Sequence, residues 1–137
     1  MFLHAILLSD AGADYVAMEC SDRTDFAEID QAVKSGIEVI ADVADVEHAI
    51  LAEGLGCVAI TTALYGYIGP KYVLPMPRFV GDCVKKVKIP VIAEGGYYSC
   101  YDVMLAKSMG AHSICIGTAI HDPRSISKRF AEAFNER

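Results

Sequence analysis

Short apolar runs alternate along the chain with longer segments that mix polar and apolar residues. Four of the five runs follow a glycine at once, as in Gly36-Ile-Glu-Val-Ile-Ala and Gly110-Ala-His-Ser-Ile-Cys-Ile. A glycine that ends a helix just before a strand is typical of the junctions in α/β proteins. The runs predict strands at residues 14–20, 37–41, 56–61, 89–94 and 112–118.

The segments between these runs have the length of helices. They predict helices at approximately 2–10, 25–35, 44–55, 76–87, 99–109 and 123–135. For the last of these, Asp122 fits the N-cap position and Pro123 the first helical position. Strands that alternate with helices indicate parallel strands joined by right-handed crossovers. No linker or low-complexity segment divides the sequence, so we expect one domain over residues 1–137.

The predicted fold class is α/β, of the parallel (β/α)8 TIM-barrel type. A closed barrel needs eight strands and about 250 residues, whereas this sequence has 137 residues and five predicted strands. We therefore expect a partial barrel of about five βα units that corresponds to the carboxyl-terminal part of such a barrel and begins in a helix. The strands at 14–20 and 112–118 would then be open edges, which predicts a homo-oligomer.

The amino-acid composition limits which classes of partner and which cellular compartment the sequence predicts. A hydrophobic content of 53% excludes a disordered chain, and a net charge of −6 argues against nucleic acid or an anionic membrane as a partner. No apolar run approaches the ~20 residues of a membrane span, and the amino-terminal residues match a signal peptide poorly. Five cysteines without a C-x-x-C pair, among them Cys20, Cys57 and Cys115, predict buried free thiols in a reducing cytoplasm.

Polar residues collect where the predicted strands end, which is the ligand face of parallel α/β proteins. Arg23 follows the first strand, Asp42 the second, and Thr61-Thr62 the third. Two of these residues have a second interpretation. Asp42 could cap the helix that starts near residue 44, and Arg23 could be a solvated loop residue.

The fourth and fifth strand ends carry the strongest chemical signal. Glu94 follows the apolar run Val91-Ile-Ala93, and a charge at that point is costly unless it is used or paired. Gly95-Gly96 and Gly117-Thr118 allow main-chain N–H groups to approach a phosphate, which is the usual site after the last two strands of a barrel. The two glycines could also serve only a turn. The pattern predicts an enzyme that acts on a small phosphorylated substrate.

Two further features leave alternatives open or predict no chemistry. The aromatic, glycine-rich segment 65–72 could be a substrate lid or an ordinary loop over the core. The four histidines lack the mutual spacing and the carboxylate partners of a metal site, so we expect structural roles and no metal. They are His4, His48, His112 and His121.

Several motifs, in order and spacing, resemble the N-acetylmannosamine-6-phosphate 2-epimerases, which are bacterial (β/α)8-barrel enzymes of sialic acid catabolism. Pro90-Val-Ile-Ala-Glu-Gly95 is the most specific match. The others are the segment from Gly12 to Arg23, Ile40-Ala-Asp42-Val, Thr61-Thr62 with Gly66-Tyr67, Gly117-Thr-Ala-Ile120 and Ile126-Ser-Lys-Arg-Phe130. Together they cover essentially the whole sequence.

The resemblance implies interconversion of N-acetylmannosamine 6-phosphate and N-acetylglucosamine 6-phosphate by proton transfer at C2, without a cofactor. It implies that Glu94 and Asp42 are catalytic, and that Gly95, Gly96, Gly117 and Thr118 bind phosphate, with Arg23 and Thr62 near the substrate. The family's catalytic lysine lies on its third strand, and no predicted strand here carries a lysine. The alternatives are a non-catalytic half-barrel that binds a phosphosugar or a protein partner, and another phosphate-binding barrel enzyme, such as an aldolase or a thiazole-synthase-like protein.

Overall fold

The structure, a computed structural model, describes residues 1–65 and 76–135. In these parts of the chain, parallel strands alternate with helices. The strands are β1 (Val16–Cys20), β2 (Val39–Val43), β3 (Ala59–Thr61), β4 (Val91–Glu94) and β5 (Ser113–Cys115). The helices are α1 (Phe2–Asp10), α2 (Phe26–Lys34), α3 (Val46–Gly54), α4 (Pro77–Val84), α5 (Cys100–Ser108), α6 (Thr118–His121) and α7 (Pro123–Asn135). No helix among the described residues is long and apolar enough to cross a membrane.

The five strands form one sheet in the order β1-β2-β3-β4-β5, and every neighbouring pair is parallel. Each new strand is therefore added next to the preceding strand, and always in the same direction across the sheet. A doubly wound sheet reverses direction partway, whereas a (β/α)8 barrel does not. Within the described residues β1 and β5 each pair with a single strand, so they are the two edges of an open sheet.

The local sequence signals explain where most helices begin and end. The four glycines that precede strands all have positive φ, as the junction pattern predicted: Gly12, Gly36, Gly56 and Gly110. Asp25 and Asp45 cap α2 and α3, and Ser99 forms a capping box with Asp102 at the start of α5. The predicted N-cap of α7 is confirmed, because the N–H of Arg124 donates to Asp122 Oδ1 at 3.2 Å.

Three predicted boundaries were wrong in ways that affect the site. β2 extends to Val43, so Asp42 lies inside the strand, and Asp45 rather than Asp42 caps α3. β5 is shorter than predicted and ends at Cys115. Thr118 begins the one-turn helix α6, which the apolar pattern did not reveal because the segment is only four residues long.

The core lies between one face of the sheet and the helices. Side chains alternate along each strand, so Val16, Met18 and Cys20 are buried against the helices while Ala17 and Glu19 point to the opposite face. That opposite face would be the interior of a closed barrel. Cys20 and Cys57 are buried free thiols as predicted. The same prediction was wrong for Cys115, which is exposed because it lies on the open face of the edge strand β5.

Replacement of Gly110 by alanine should cost more stability than the same change at Gly12. Both residues have a similar positive φ, +96° and +94°, so the backbone strain is shared. A Cβ at Gly110 would lie 2.9 Å from Val84 Cγ1, whereas a Cβ at Gly12 meets nothing within 4 Å. We expect Gly110→Ala to lose about 1–3 kcal/mol more free energy of unfolding than Gly12→Ala. Urea unfolding of both variants measures the difference, and equal losses would contradict this packing at the α5–β5 junction.

Candidate functional site

The carboxyl-terminal ends of the five strands carry one polar row on the open face of the sheet. Its members, in strand order, are Glu19, Asp42, Thr61, Glu94 and Cys115. The strand register places Glu19 opposite Asp42 and Asp42 opposite Thr61. Thr61 is opposite Ile92, so Glu94 and its partner Cys115 lie on the same face two residues further along. The predicted catalytic pair, Asp42 and Glu94, therefore shares one face. Glu19 and Cys115 were not among the predicted site residues, and Thr61 was noted only as a polar strand end without a role. Strict side-chain alternation within each strand groups all three with Asp42 and Glu94.

Two consecutive threonines of the neighbouring strand hold Glu94 in place. The Thr61 hydroxyl donates to Glu94 Oε2 at 2.6 Å. The Thr62 hydroxyl donates to the carbonyl of Glu94 and accepts from its N–H, both at 3.0 Å. Both threonines are buried. The first therefore orients the carboxylate and the second fixes its backbone. Since the Thr62 hydroxyl is engaged with Glu94, its predicted contact with substrate stays a prediction.

Asp42 is a half-buried carboxyl group with acidic neighbours. Its Oδ1 accepts from the N–H of Leu64 at 2.9 Å, so it supports the loop after β3 and caps no helix. Burial raises the pKa of Asp42 to about 6, and the negative charges of Glu94 and Glu19 add to the shift. A carboxyl group with this pKa can exchange a proton near neutral pH.

Arg23 lies at the rim of the row, beside β1. Its Nη2 is 3.3 Å from Glu19 Oε1, and the Ser21 hydroxyl donates to the same oxygen at 2.6 Å. The Arg23 side chain is 66% exposed. It is therefore tethered to the edge of the site but open to solvent, and its contact with substrate stays a prediction.

A pocket of about 180 Å³ opens between the loop after β4 and the loop after β5. Its lining includes Glu94 and all four residues predicted to bind phosphate: Gly95, Gly96, Gly117 and Thr118. This volume is below the ~300–1,000 Å³ typical of sites that enclose a whole ligand. The pocket therefore has room for one small group of a ligand, and the rest of the ligand would lie over the open sheet face.

The helix expected to support this pocket is short. Thr118 begins α6, which has four residues, and the long helix α7 starts only at Pro123. A helix of one turn has little macrodipole. An anion in this pocket would therefore depend on main-chain N–H groups and on nearby positive charge rather than on a long helix.

Two other predicted features lie beside the row. The proposed lid at 65–72 falls outside the described residues except for Tyr65, whose ring stacks on Phe79 with centroids 3.7 Å apart. The expectation that the histidines lack carboxylate partners was wrong for His48. Its Nδ1 lies 2.7 Å from Asp45 Oδ1 and its Nε2 lies 3.4 Å from Asp22 Oδ1. Because Asp45 also caps α3, these contacts fit a structural role for His48.

Asp42→Asn should stabilise the fold at neutral pH, and the gain should disappear in acid. The folded-state pKa of about 6 lies above the ordinary value of 3.8, so the folded state binds this proton more tightly than the unfolded chain does. The carboxylate therefore destabilises the fold above about pH 6 and ceases to do so below about pH 4. We expect the variant to gain about 1 kcal/mol at pH 7.5, because an asparagine oxygen can still accept from Leu64.

Urea unfolding at pH 7.5 and pH 4 measures this difference. The exposed Asp30→Asn serves as the control, because its salt bridge with Lys34 lies on the surface of α2 and contributes little. A gain that is the same at both pH values, or a loss at pH 7.5, would contradict the account of Asp42.

Comparison with known proteins identifies the family. A family model described as "Putative N-acetylmannosamine-6-phosphate epimerase" matches residues 3–136. A Clostridioides difficile protein described as "Putative N-acetylmannosamine-6-phosphate 2-epimerase" is 32% identical over 134 residues, which cover 92% of this chain and 60% of the relative. A protein of the same description from Cutibacterium acnes is 36% identical over 141 residues, covering 95% of this chain and 62% of the relative.

Solved structures give the same result for the fold. The N-acetylmannosamine-6-phosphate 2-epimerase from Clostridium perfringens superposes with a TM-score of 0.80 at 28% identity, over 94% of this chain and 60% of that one. Mandelate oxidase superposes with a TM-score of 0.71 at 16% identity over 95% of this chain and 50% of that one, a likeness of fold alone. The predicted partial TIM-type barrel is confirmed.

The chain thus spans about 60% of the length of these epimerase relatives. The family match extends over almost the whole of this chain and includes every strand of the sheet. The chain belongs to the N-acetylmannosamine-6-phosphate epimerase family.

Proposed function

We propose that this chain binds a phosphorylated N-acetylhexosamine, with the phosphate between Gly95-Gly96 and Gly117-Thr118. The observation that carries the proposal is that an oriented carboxylate, Glu94, borders a pocket of phosphate size formed by two glycine-containing loops. The relatives and the solved structure named above are described as epimerases of N-acetylmannosamine 6-phosphate, which supports this substrate class.

The reaction that suits this arrangement is interconversion of N-acetylmannosamine 6-phosphate and N-acetylglucosamine 6-phosphate. It requires removal and return of the proton at C2 of the open-chain sugar. With phosphate in the pocket, the sugar would extend over the open face toward Asp42. Glu94 would act as the acid/base at C2, and Asp42 would exchange a proton with an oxygen of the substrate, since burial and its acidic neighbours raise its pKa to about 6.

The alternative function is a non-catalytic half-barrel that binds a phosphosugar or a protein partner. None of the five described strands carries a lysine. The family resemblance assigns a catalytic lysine to a strand that comes before the counterpart of β1, and none of the described strands supplies such a lysine to Glu94. The absence of a lysine from these strands also disfavours a Schiff-base aldolase.

We also propose that residues 1–137 form one partial-barrel domain that self-associates in a reducing cytoplasm. The two sheet edges lack a second partner strand among the described residues. On the open face, Ile40 and Ile92 are only half-buried, and on α7 the exposures of Phe130 and Phe134 reach 74% and 89%. Open strand edges and large exposed apolar side chains favour association between copies. Five free cysteines suit a reducing compartment.

Phosphate should perturb the two pocket loops and little else. In a titration followed by NMR, we expect the amide signals of Gly95, Gly96, Gly117 and Thr118 to shift together, because their main-chain groups line one pocket. The amide of Gly54, at the far end of α3, serves as the internal reference. Shifts confined to loops outside the pocket would remove the proposed phosphate site.

Epimerisation by this chain should be slow or undetectable. Loss of one member of an acid/base pair typically lowers the rate by ~10²–10⁴-fold, and Glu94 has no lysine partner on the described strands. Exchange of the C2 proton of N-acetylglucosamine 6-phosphate with solvent deuterium is the sensitive assay. Any residual exchange should be lost in Glu94→Gln. Family-level turnover that survives this substitution would contradict the assigned role.

Self-association should be visible at micromolar concentration by analytical ultracentrifugation. The double variant Phe130→Ser with Phe134→Ser removes the largest exposed apolar side chains of α7 and should weaken association about tenfold or more. Glu132→Gln, an exposed polar change on the same helix, is the matched control and should leave association unchanged. A clean monomer of the unsubstituted chain would rule out the oligomer.

A further inference from the structure

Arg129 of α7 connects the two walls of the candidate phosphate pocket. Its Nη1 donates to the carbonyl of Tyr98 at 2.9 Å, and its Nη2 donates to the carbonyl of Ala119 at 3.3 Å. The guanidinium carbon also lies 4.8 Å from the centre of the Tyr98 ring. Tyr98 belongs to the loop after β4, and Ala119 belongs to α6 after β5. Both residues line the pocket, whereas Arg129 does not.

The charge of Arg129 has no carboxylate partner within 4.0 Å among the described residues. Its neighbours on the same helix differ, since Lys128 pairs with Glu132 and Arg124 with Asp122. The guanidinium instead meets two neutral carbonyls and an aromatic ring, and its Nε is buried without a hydrogen-bond partner. A cation that is partly withdrawn from water and unpaired is costly unless an anion approaches it.

The pocket needs such a cation. The carboxylate of Glu94 lines it, the sequence carries a net charge of −6, and α6 is too short to supply a useful dipole. A phosphate dianion would be repelled by Glu94 unless positive charge lies nearby. Arg129 supplies a positive charge next to the pocket, because it contacts the lining residues Tyr98 and Ala119 without lining the pocket itself.

We propose that Arg129 is a positioning residue of the phosphate pocket. The two N–H donors of its guanidinium group, Nη1 and Nη2, form a fork that holds the loop after β4 against α6. The main-chain groups on both walls then face one anion, and the positive charge of Arg129 attracts that anion. The inference rests on the proposed phosphate site. Arginine is required for the bridge, because a lysine keeps the charge but cannot present two fixed donors or stack its plane on a ring.

The test compares three substitutions on one helix. Arg129→Met removes both the fork and the charge, Arg129→Lys removes the fork alone, and Lys128→Met removes an exposed charge one residue away as the matched control. Two quantities are measured for each. They are the dissociation constant of inorganic phosphate at low and moderate salt, and amide hydrogen exchange in the ligand-free protein at Ser99 and at Ile120, whose N–H groups donate to Asp102 and to the carbonyl of Gly117 on the two walls.

We expect Arg129→Met to weaken phosphate binding about tenfold or more and to flatten its salt dependence. Exchange should accelerate on both walls of the pocket in this variant. Arg129→Lys should recover part of the affinity and its salt dependence but not the protection of the amides. Lys128→Met should match the unsubstituted protein in amide protection and should change the dissociation constant less than twofold.

Equal phosphate affinity in Arg129→Met and Lys128→Met would overturn the role in binding. Unchanged exchange on both walls in Arg129→Met and in Arg129→Lys would overturn the bridge. If the unsubstituted chain does not bind phosphate, the proposed function fails, while the exchange data still decide whether Arg129 holds the two walls. If Arg129→Met does not fold, the Arg129→Lys variant alone decides, since full amide protection in it contradicts a bridge that needs the arginine fork.

Discussion

Parallel pairing of the strands in chain order is the constraint on which the whole candidate site depends. Because every strand runs the same way, all five carboxyl ends lie on one edge, and the alternation of side chains puts Glu19, Asp42 and Thr61 on the same face as Glu94 and Cys115, which lie two residues further along because Thr61 is opposite Ile92. Asp42 and Glu94 are 52 positions apart in the sequence and come together only through this register. The hydrogen bond from Thr61 to Glu94 fixes the row where β3 meets β4.

The row also creates an electrostatic conflict. Glu19, Asp42 and Glu94 share one face, and the burial of Asp42, reinforced by repulsion from Glu94 and Glu19, raises its pKa to about 6. Such a face disfavours an anionic ligand unless positive charge offsets it. Arg23 neutralises Glu19 at the edge, and Arg129 approaches the pocket from behind its far wall. The site therefore separates a region suited to proton exchange from a region suited to phosphate.

Much of this arrangement was accessible from the sequence. Glycines before apolar runs identified the helix–strand junctions, and polar residues at strand ends identified the ligand face. The junctions succeeded because only a glycine readily adopts the positive φ that ends these helices, as at Gly12 and Gly110. Glu94 was identifiable because a carboxylate at the end of a buried strand is costly unless it is paired or takes part in binding or catalysis.

Other features depend on distances that no sequence pattern encodes. Arg129 lies 31 positions from Tyr98, and its donors reach that carbonyl only after α7 packs beside the loop. Cys115 follows the buried pattern of a central strand but lies exposed, because β5 is an edge. The sequence predicted a strand that ends at residue 41 and a helix that starts near residue 44, with Asp42 between them, whereas α3 begins at Val46. The extended conformation of Val43 instead continues the pairing with Cys20.

A crystal structure of this chain with N-acetylglucosamine 6-phosphate would show whether the pocket and the polar row bind one phosphosugar. We expect phosphate density between Gly95-Gly96 and Gly117-Thr118, with C2 of the sugar nearest to the carboxylate of Glu94. The sugar should then be directed along the polar row toward Asp42. Phosphate density elsewhere on the molecule, or a sugar directed away from Glu94, would contradict it.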